Sequence, residues 1–305
     1  MTSPATGAPQ RQQHTAHGIL LVLAAVFCFA CQDALGKHLF ATYSVPFVQA
    51  VRYGLNLVVI SALYAPRLGL SLVRTNRPYL MITRGLALAV GSFTGGLALR
   101  AMPLAEVVSI MYLSPLILLV LAWPLLGERV RWFGWAAAGF GFSGLLLIVR
   151  PGSGLAPEGL FFAFLNLITA VAYPMLSRVL ARTESTTAQM FYVGLSGAVF
   201  YGLQLPWTMP AAMPPLPDLA FMLALGLVSL LGHSLFTMAY ARAPVSLLGP
   251  FTYAHIAWAT LLGWLVFAQV PDALTMLGIA LIGIAGVGNA AFNHAASRKP
   301  VEIGV

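Results

Sequence analysis

Ten polar or aromatic residues stand inside long apolar runs: Gln32, Asp33, Arg52, Glu106, Tyr112, Tyr173, His233, Tyr253, His255 and Trp258. Each has chemistry to offer a small ligand. A guanidinium clamps a carboxylate, and an acid pairs with an amine or carries a proton. Imidazoles relay protons, and ring faces stack on flat or apolar groups. A charge at mid-membrane costs about 2.5–3.5 kcal/mol on insertion scales, so such groups must face a cavity or one another. Local pairings compete with ligand contact. Asp33 and Lys37 are four apart, on one helical face. Gln49, Arg52 and Asn56 make a polar stripe at helical spacing. Glu106 has Arg100 as a nearby partner, and both histidines also suit hydrogen-bonded packing. No HExxH, GxSxG or Walker A sequence occurs, and no ligand cluster surrounds the histidines. No catalytic residue, metal or cofactor is therefore expected.

The elements that carry these residues follow from composition. Of 305 residues, 59% are apolar and 8% charged, where a soluble domain carries about 25% charged residues. Such a chain has no polar surface to offer water and reads as an all-α membrane protein embedded in the lipid bilayer. The net charge of +8 sits in short loops beside apolar runs, where it sets orientation rather than binding nucleic acid. Cys28 and Cys31 form a CxxC inside the first run, without a second pair, and read as small helix residues. Ten transmembrane spans are predicted: 18–38, 46–66, 78–99, 103–126, 132–149, 158–180, 186–206, 217–240, 244–267 and 273–292. Residues 1–17 read as a disordered cytoplasmic tail and 293–305 as a second cytoplasmic tail. With the N-terminus inside, eleven positive residues fall on inner segments: Arg11, Arg67, Arg74, Arg77, Arg129, Arg131, Arg178, Arg182, Arg242, Arg298 and Lys299. Only Lys37, Arg100 and Arg150 fall on outer ends. That bias places both termini in the cytoplasm of a multi-pass protein of the cell inner membrane.

The segment Ala101–Trp132 organises the chain, because it recurs 141 positions later. Pro103 meets Pro244, Tyr112 meets Tyr253, Trp123 meets Trp264 and Glu128 meets Gln269. The register extends outward: Gly18 meets Gly159, Lys37 meets Arg178 and Gly91 meets Gly232. Spans one to five (18–150) thus match spans six to ten (158–292). Five is odd, so the second copy must cross in the opposite sense. Ten helices arranged as two inverted five-helix repeats is the expected architecture, a plan shared by many secondary transporters. Tyr112 and Tyr253 occupy equivalent mid-depth positions and are expected to line a shared cavity. Gly91 and Gly95 form a GxxxG, and glycines crowd spans five and ten; both read as helix-packing seams. Whether spans five and ten meet a second copy, as a homodimer, stays open at this point.

The chain resembles the drug/metabolite transporter superfamily, in particular proteins with two EamA domains. The residues that carry the resemblance are Leu99–Glu106, Leu126–Arg129, the glycine-rich Gly134–Val149, Ala239–Ser246, Pro250–Tyr253, Trp264–Val270 and the glycines of Gly278–Gly288. It covers about residues 18 to 292. Gln269 departs from it, since an acid matching Glu128 usually stands there. The resemblance implies a central cavity and a secondary transporter that moves a small organic metabolite, an amino acid or related compound, by alternating access. It equally includes carriers of vitamins and heterocycles, such as riboflavin and S-adenosylmethionine uptake. A membrane-embedded enzyme lacks any motif here, and a non-transporting scaffold explains neither the repeat nor Arg52.

Overall fold

The structure, a computed structural model, describes residues 8–126, 132–150, 152–180, 183–242 and 245–297. Within them the chain is helical throughout, with no strand. The helices are α1 (Ala8–Thr42), α2 (Val45–Leu68), α3 (Pro78–Ala101), α4 (Leu104–Met111), α5 (Ser114–Leu126), α6 (Trp132–Val149) and α7 (Pro157–Leu180). They continue as α8 (Thr186–Gly202), α9 (Leu205–Thr208), α10 (Leu216–Arg242), α11 (Val245–Thr252), α12 (Ala254–Phe267) and α13 (Ala273–Ser297). Seven of these, α1, α2, α3, α6, α7, α10 and α13, are long and apolar enough to cross a membrane. The chain is a multi-pass membrane protein.

Three features differ from the sequence expectation. Helix α1 begins at Ala8, so residues 8–17 form its first turns instead of an irregular tail; Ala, Gln and Arg favour helix. The expected span 186–206 ends as a helix at Gly202, and the chain resumes as the short α9. Most consequentially, the spans 103–126 and 244–267 are each broken in two, at Tyr112–Leu113 and at Tyr253. A proline lies within four residues of each break. Pro115 has no N–H to give the Met111 carbonyl, and its ring crowds the preceding turn. The chain tightens there into a turn in which Leu113 N–H donates to the Ile110 carbonyl at 3.1 Å. Pro250 lies three residues before Tyr253, whose N–H donates to the Pro250 carbonyl at 3.3 Å.

Two antiparallel-running helix pairs flank the centre: α1 packs along α10, and α3 along α7. On the periphery α2 packs on α8 and α6 on α13. Glycines set the closest approaches. A Cβ added at Gly144 or at Gly278 would lie 2.6 Å from the other's carbonyl oxygen, so the glycine seams of α6 and α13 face each other. A Cβ at Gly95 would meet Asn166 of α7 at 2.8 Å, which makes the GxxxG of α3 the seam against α7.

Among the described residues the apolar core is lopsided. Leu39, Phe40, Val45, Val48, Ala98, Met102, Leu104 and Ile110 are all 2% exposed or less, and one cluster joins them to α6, α7, α10, α12 and α13. All lie toward one end of the bundle, the end that holds Lys37. At the opposite end, near Arg84, two small clusters form instead. Val22, Ala239 and Leu248 join α1, α10 and α11; Met81, Leu180 and Ala188 join α3, α7 and α8. Each holds one flank together and neither bridges the two flanks. Polar links add to the closure at the Lys37 end: Tyr43 donates to Asp218 at 2.5 Å, and Ser44 to the Thr208 carbonyl at 2.8 Å.

Candidate functional site

Between the flanks lies a cavity of about 620 Å³, within the range of small-molecule sites. Its wall is mostly apolar, and its charged side chains are Asp33 and Arg52, with His233 and His255 beside them. Helix α1 supplies Phe29, Gln32 and Asp33 along one face. Gln32 Nε2 donates to Asp33 Oδ1 at 3.4 Å, while Gln32 Oε1 is buried without a partner. Across the cavity, α12 presents His255 directly after the Tyr253 break. Its Nε2 stands 3.2 Å from Asp33 Oδ2, yet the two are not aligned as a hydrogen bond, and Nε2 has no hydrogen-bond partner. Phe29 packs its ring against His233 at 5.0 Å and His255 at 6.3 Å.

Arg52 enters from α2 and is 6% exposed. Its Nε donates to Ser229 of α10 at 3.1 Å and its Nη1 to Gln49 at 3.2 Å. The polar stripe on α2 thus forms, with Gln49 as the arginine's own bracket. Nη2 makes no hydrogen bond to the described protein. The two helix breaks meet at the cavity: the rings of Tyr112 and Tyr253 are 5.1 Å apart, and Tyr112 lies 5.5 Å from His255. Pro115 and Pro174 deprive the Met111 and Ala170 carbonyls of their helical donors, and both residues line the cavity. Irregular backbone at membrane depth is tolerated where it borders a cavity. Tyr173 completes this side.

Eight of the ten expected residues therefore line one cavity. Glu106 and Trp258 do not. Glu106 points behind it, 6% exposed, while its neighbours Val107 and Val108 line the cavity. Trp258 packs edge-on to Phe27 at 5.0 Å, away from the cavity.

Two local pairings also give way. Lys37 does not bond Asp33; its ammonium donates to the carbonyls of Leu99 at 2.6 Å and Met102 at 2.5 Å. The last carbonyls of α3 lack helical donors and carry partial negative charge, so a buried cation is better placed there. Glu106 finds no Arg100, which is exposed; it lies near Lys37, with Oε2 buried and unpartnered. Gln269, where an acid was expected, accepts from Leu104 N–H at 3.2 Å and so ties the end of α12 to the start of α4. Its mate Glu128 lies outside the described residues.

Several contributors were not singled out from sequence. Asn166 lines the cavity and donates to the Gly91 carbonyl at 2.7 Å; Thr169, Ser92 and Asn289 line it as well. A lone amide in the apolar run 158–180 was the available signal for Asn166. Arg84 is a second buried arginine, 8% exposed, and stands just off the wall. It donates to Ser177 at 2.7 Å, to Tyr173 at 2.7 Å and to the Gln189 carbonyl at 3.1 Å. Among the described residues no three His, Cys, Asp or Glu side chains group as a metal site.

Comparison with known proteins finds transporters. The chain is 29% identical over 272 residues to the pseudopaline exporter CntI of Pseudomonas aeruginosa, covering 88% of this chain and 94% of that one. It is 27% identical over 267 residues to a riboflavin transporter of Rhizobium johnstonii, covering 87% and 88%. It is 26% identical over 276 residues to an S-adenosylmethionine uptake transporter of Rickettsia bellii, covering 87% and 90%. A solved structure titled only as the crystal structure of a protein superposes with a TM-score of 0.63 at 22% identity, over 94% of this chain and 99% of that one, which shows a shared fold. The model of the EamA-like transporter family matches twice, over residues 16–150 and 157–289. The chain belongs to the EamA-like transporter family, within the drug/metabolite transporter superfamily.

Proposed function

We propose that the protein is a secondary transporter that carries a small zwitterionic metabolite, an amino acid or a related compound, across the inner membrane by alternating access. The observation that carries this reading is the cavity at the two helix breaks, with an acid on α1 and an arginine with a spare Nη2 on α2. Paired interrupted helices in corresponding positions are the transporter plan for a mid-membrane site. A cargo carboxylate would seat on Arg52 and a cargo amine on Asp33, with Gln32 Oε1 as a further acceptor.

The inverted repeat supports alternation. Shifted by 141, α4 (Leu104–Met111) falls on α11 (Val245–Thr252), and Tyr112 falls on Tyr253. The same shift turns the flank α1–α10 into α7–α3 and returns α2–α8 and α6–α13 onto themselves. A two-fold relation between halves gives two equivalent closures. The lopsided core is what one of them would look like: the Lys37 end packed shut and, among the described residues, the Arg84 end held only within each flank. The positive residues put the Arg84 end, and both termini, on the cytoplasmic side.

A second reading follows from the rings. Phe29, Tyr112, Tyr173 and Tyr253 around one cavity would also stack a flat heterocycle such as a flavin. Uptake of a labelled panel of amino acids, riboflavin and S-adenosylmethionine into liposomes holding purified protein separates the two. Accumulation of an amino acid or another zwitterion supports the first reading; riboflavin alone supports the second; no transport of any member counts against both. Reporters fused at residues 70 and 153 should sit on opposite sides of the membrane, and same-side signals would overturn the topology.

A further inference from the structure

The segment between α8 and α10 is built unlike a loop in water. Residues 203–217 hold no charged side chain, and Leu203, Trp207, Met209, Met213 and Leu216 are each 60% exposed or more. The linker at the matching place in the first repeat, between α2 and α3, carries Arg74 and Arg77. Few positive residues are expected away from the cytoplasm, but that rule does not call for bare apolar side chains. We propose that residues 203–217 lie in the boundary between lipid headgroups and acyl chains at the Lys37 end of the bundle, as a strap whose partner is the bilayer itself. The proposal does not depend on what the protein carries.

Depth follows from helix length. Helix α8 has 17 residues and rises about 25 Å, short of the roughly 30 Å hydrocarbon core. Its mate α2 has 24 residues, rises about 36 Å and clears that core. The chain that leaves α8 at Gly202 is therefore still at the edge of the hydrocarbon when it turns into the strap.

The backbone suits that depth. A backbone N–H without a partner is costly in lipid. Pro206, Pro210, Pro214, Pro215 and Pro217 have no N–H to satisfy. Trp207 N–H donates to the Gln204 carbonyl at 3.2 Å, and Met209 N–H to the Leu205 carbonyl at 3.0 Å. The polar side chains are spent on carbonyls: Gln204 Nε2 donates to Phe200 and Thr208 Oγ1 to Gln204, both at 2.8 Å.

One side of the strap is seated on protein. Leu205 packs on the main core cluster, Pro214 is buried, and α9 lies on α2. The other side continues the exposed apolar flanks of α8 and α10, at Val199, Phe221 and Leu223. A tryptophan among aliphatic side chains is the composition of a membrane interface. Ser44 bonds the Thr208 carbonyl, and Tyr43 bonds Asp218 on the first turn of α10. The turn between α1 and α2 is thereby tied through the strap to the lipid surface.

Spin labels test this. Full-length protein with Cys28→Ala and Cys31→Ala is placed in liposomes and labelled singly at Trp207→Cys or Met213→Cys. Collision with oxygen, which partitions into lipid, is compared with collision with nickel–EDDA, which stays in water. Leu227→Cys on α10 and Arg74→Cys in the matching linker, both exposed, give the lipid and water references. The oxygen-to-nickel ratio at both strap positions should exceed that at Arg74→Cys several-fold and approach that at Leu227→Cys. Met209→Cys reads the same surface if the Trp207 substitution does not fold. A ratio equal to that at Arg74→Cys would put the strap in water and overturn the proposal. Weak collision with both reagents would mean that protein, a second copy included, covers the strap, and would overturn it equally.

Discussion

Two arginines are buried to nearly the same degree, Arg84 at 8% and Arg52 at 6% exposed, and they do opposite things. Arg84 donates from Nε, Nη1 and Nη2 to three partners on α7 and α8, and its guanidinium lies 4.5 Å from the Tyr173 ring centroid. All three of its nitrogens are engaged by protein partners. Arg52 donates from two nitrogens and keeps Nη2 spare on a cavity wall. Burial alone thus says that a membrane cation is sheltered. The count of unsatisfied donors says whether it is a fastener or a receptor.

The largest expected effect follows from the fastener. Arg84→Ala strips a donor from Ser177, Tyr173 and the Gln189 carbonyl, at about 1–3 kcal/mol for each polar group left buried and unpaired. Thermal melting of purified protein in detergent should fall by several degrees, with loss of monodisperse material. A variant that melts like wild type but has lost transport would reverse the comparison and make Arg84 part of the site.

Arg52→Ala should do the converse. The protein should insert and melt close to wild type, while uptake of its cargo falls about tenfold or more, equivalent to about 1.4 kcal/mol. Arg52→Lys should recover only part of it, since an ammonium lacks the planar fork that holds Ser229, Gln49 and a carboxylate together. Wild-type flux in Arg52→Ala removes this residue from the site.

These distinctions explain how far the sequence could be read. Apolar runs, the 141-residue register and the positive loops revealed a helical membrane chain, because they depend on composition and period alone; the family came from a resemblance carried by segments such as Leu99–Glu106 and Ala239–Ser246. Eight of the ten expected residues line the cavity, and they were legible because polarity inside an apolar run is costly enough to be conspicuous. Glu106 and Trp258 stand off the cavity wall, because a helix face can turn to a neighbouring helix as easily as to a cavity. Lys37 looked paired with Asp33 at i, i+4, but helix ends create carbonyl acceptors that no local spacing announces. The breaks at Tyr112 and Tyr253 were hidden for a related reason. Pro115 and Pro250 were visible, but where the chain leaves the helix depends on what the freed backbone meets.

A subtler test probes those breaks. A Cβ at Gly286 of α13 would overlap the Tyr253 ring. Gly286→Ala must therefore push Tyr253 toward Tyr112 or out of its stack. Transport should drop several-fold with little change in melting. Gly283→Ala, on the same helix, meets nothing within 4 Å and is the matched control. Equal behaviour of the two variants would mean that the tyrosine pair is passive packing.

The smallest effect comes from a third arginine, which is committed like Arg84 but partly open to solvent. Arg150 Nη1 caps the Leu147 carbonyl of α6, and Nη2 pairs with Asp272 Oδ2 at 2.6 Å. Asp272 in turn caps α13, accepting from Thr275 N–H at 2.8 Å. That backbone donor first, and Arg150 second, hold the Asp272 carboxyl below the usual carboxylate range. A group whose folded value is depressed adds stability above its unfolded value, about 3.9, and loses it as pH falls through the folded one. Asp272→Asn should then melt slightly below wild type at neutral pH, and the gap should close only as pH falls below about 4. Because the acid is exposed, water competes for both partners and the gap should stay far smaller than that of Arg84→Ala. If Asp272→Asn instead matched Arg84→Ala in cost, solvent exposure would not be what separates a strong membrane-protein fastener from a weak one, and the number of partners alone would decide.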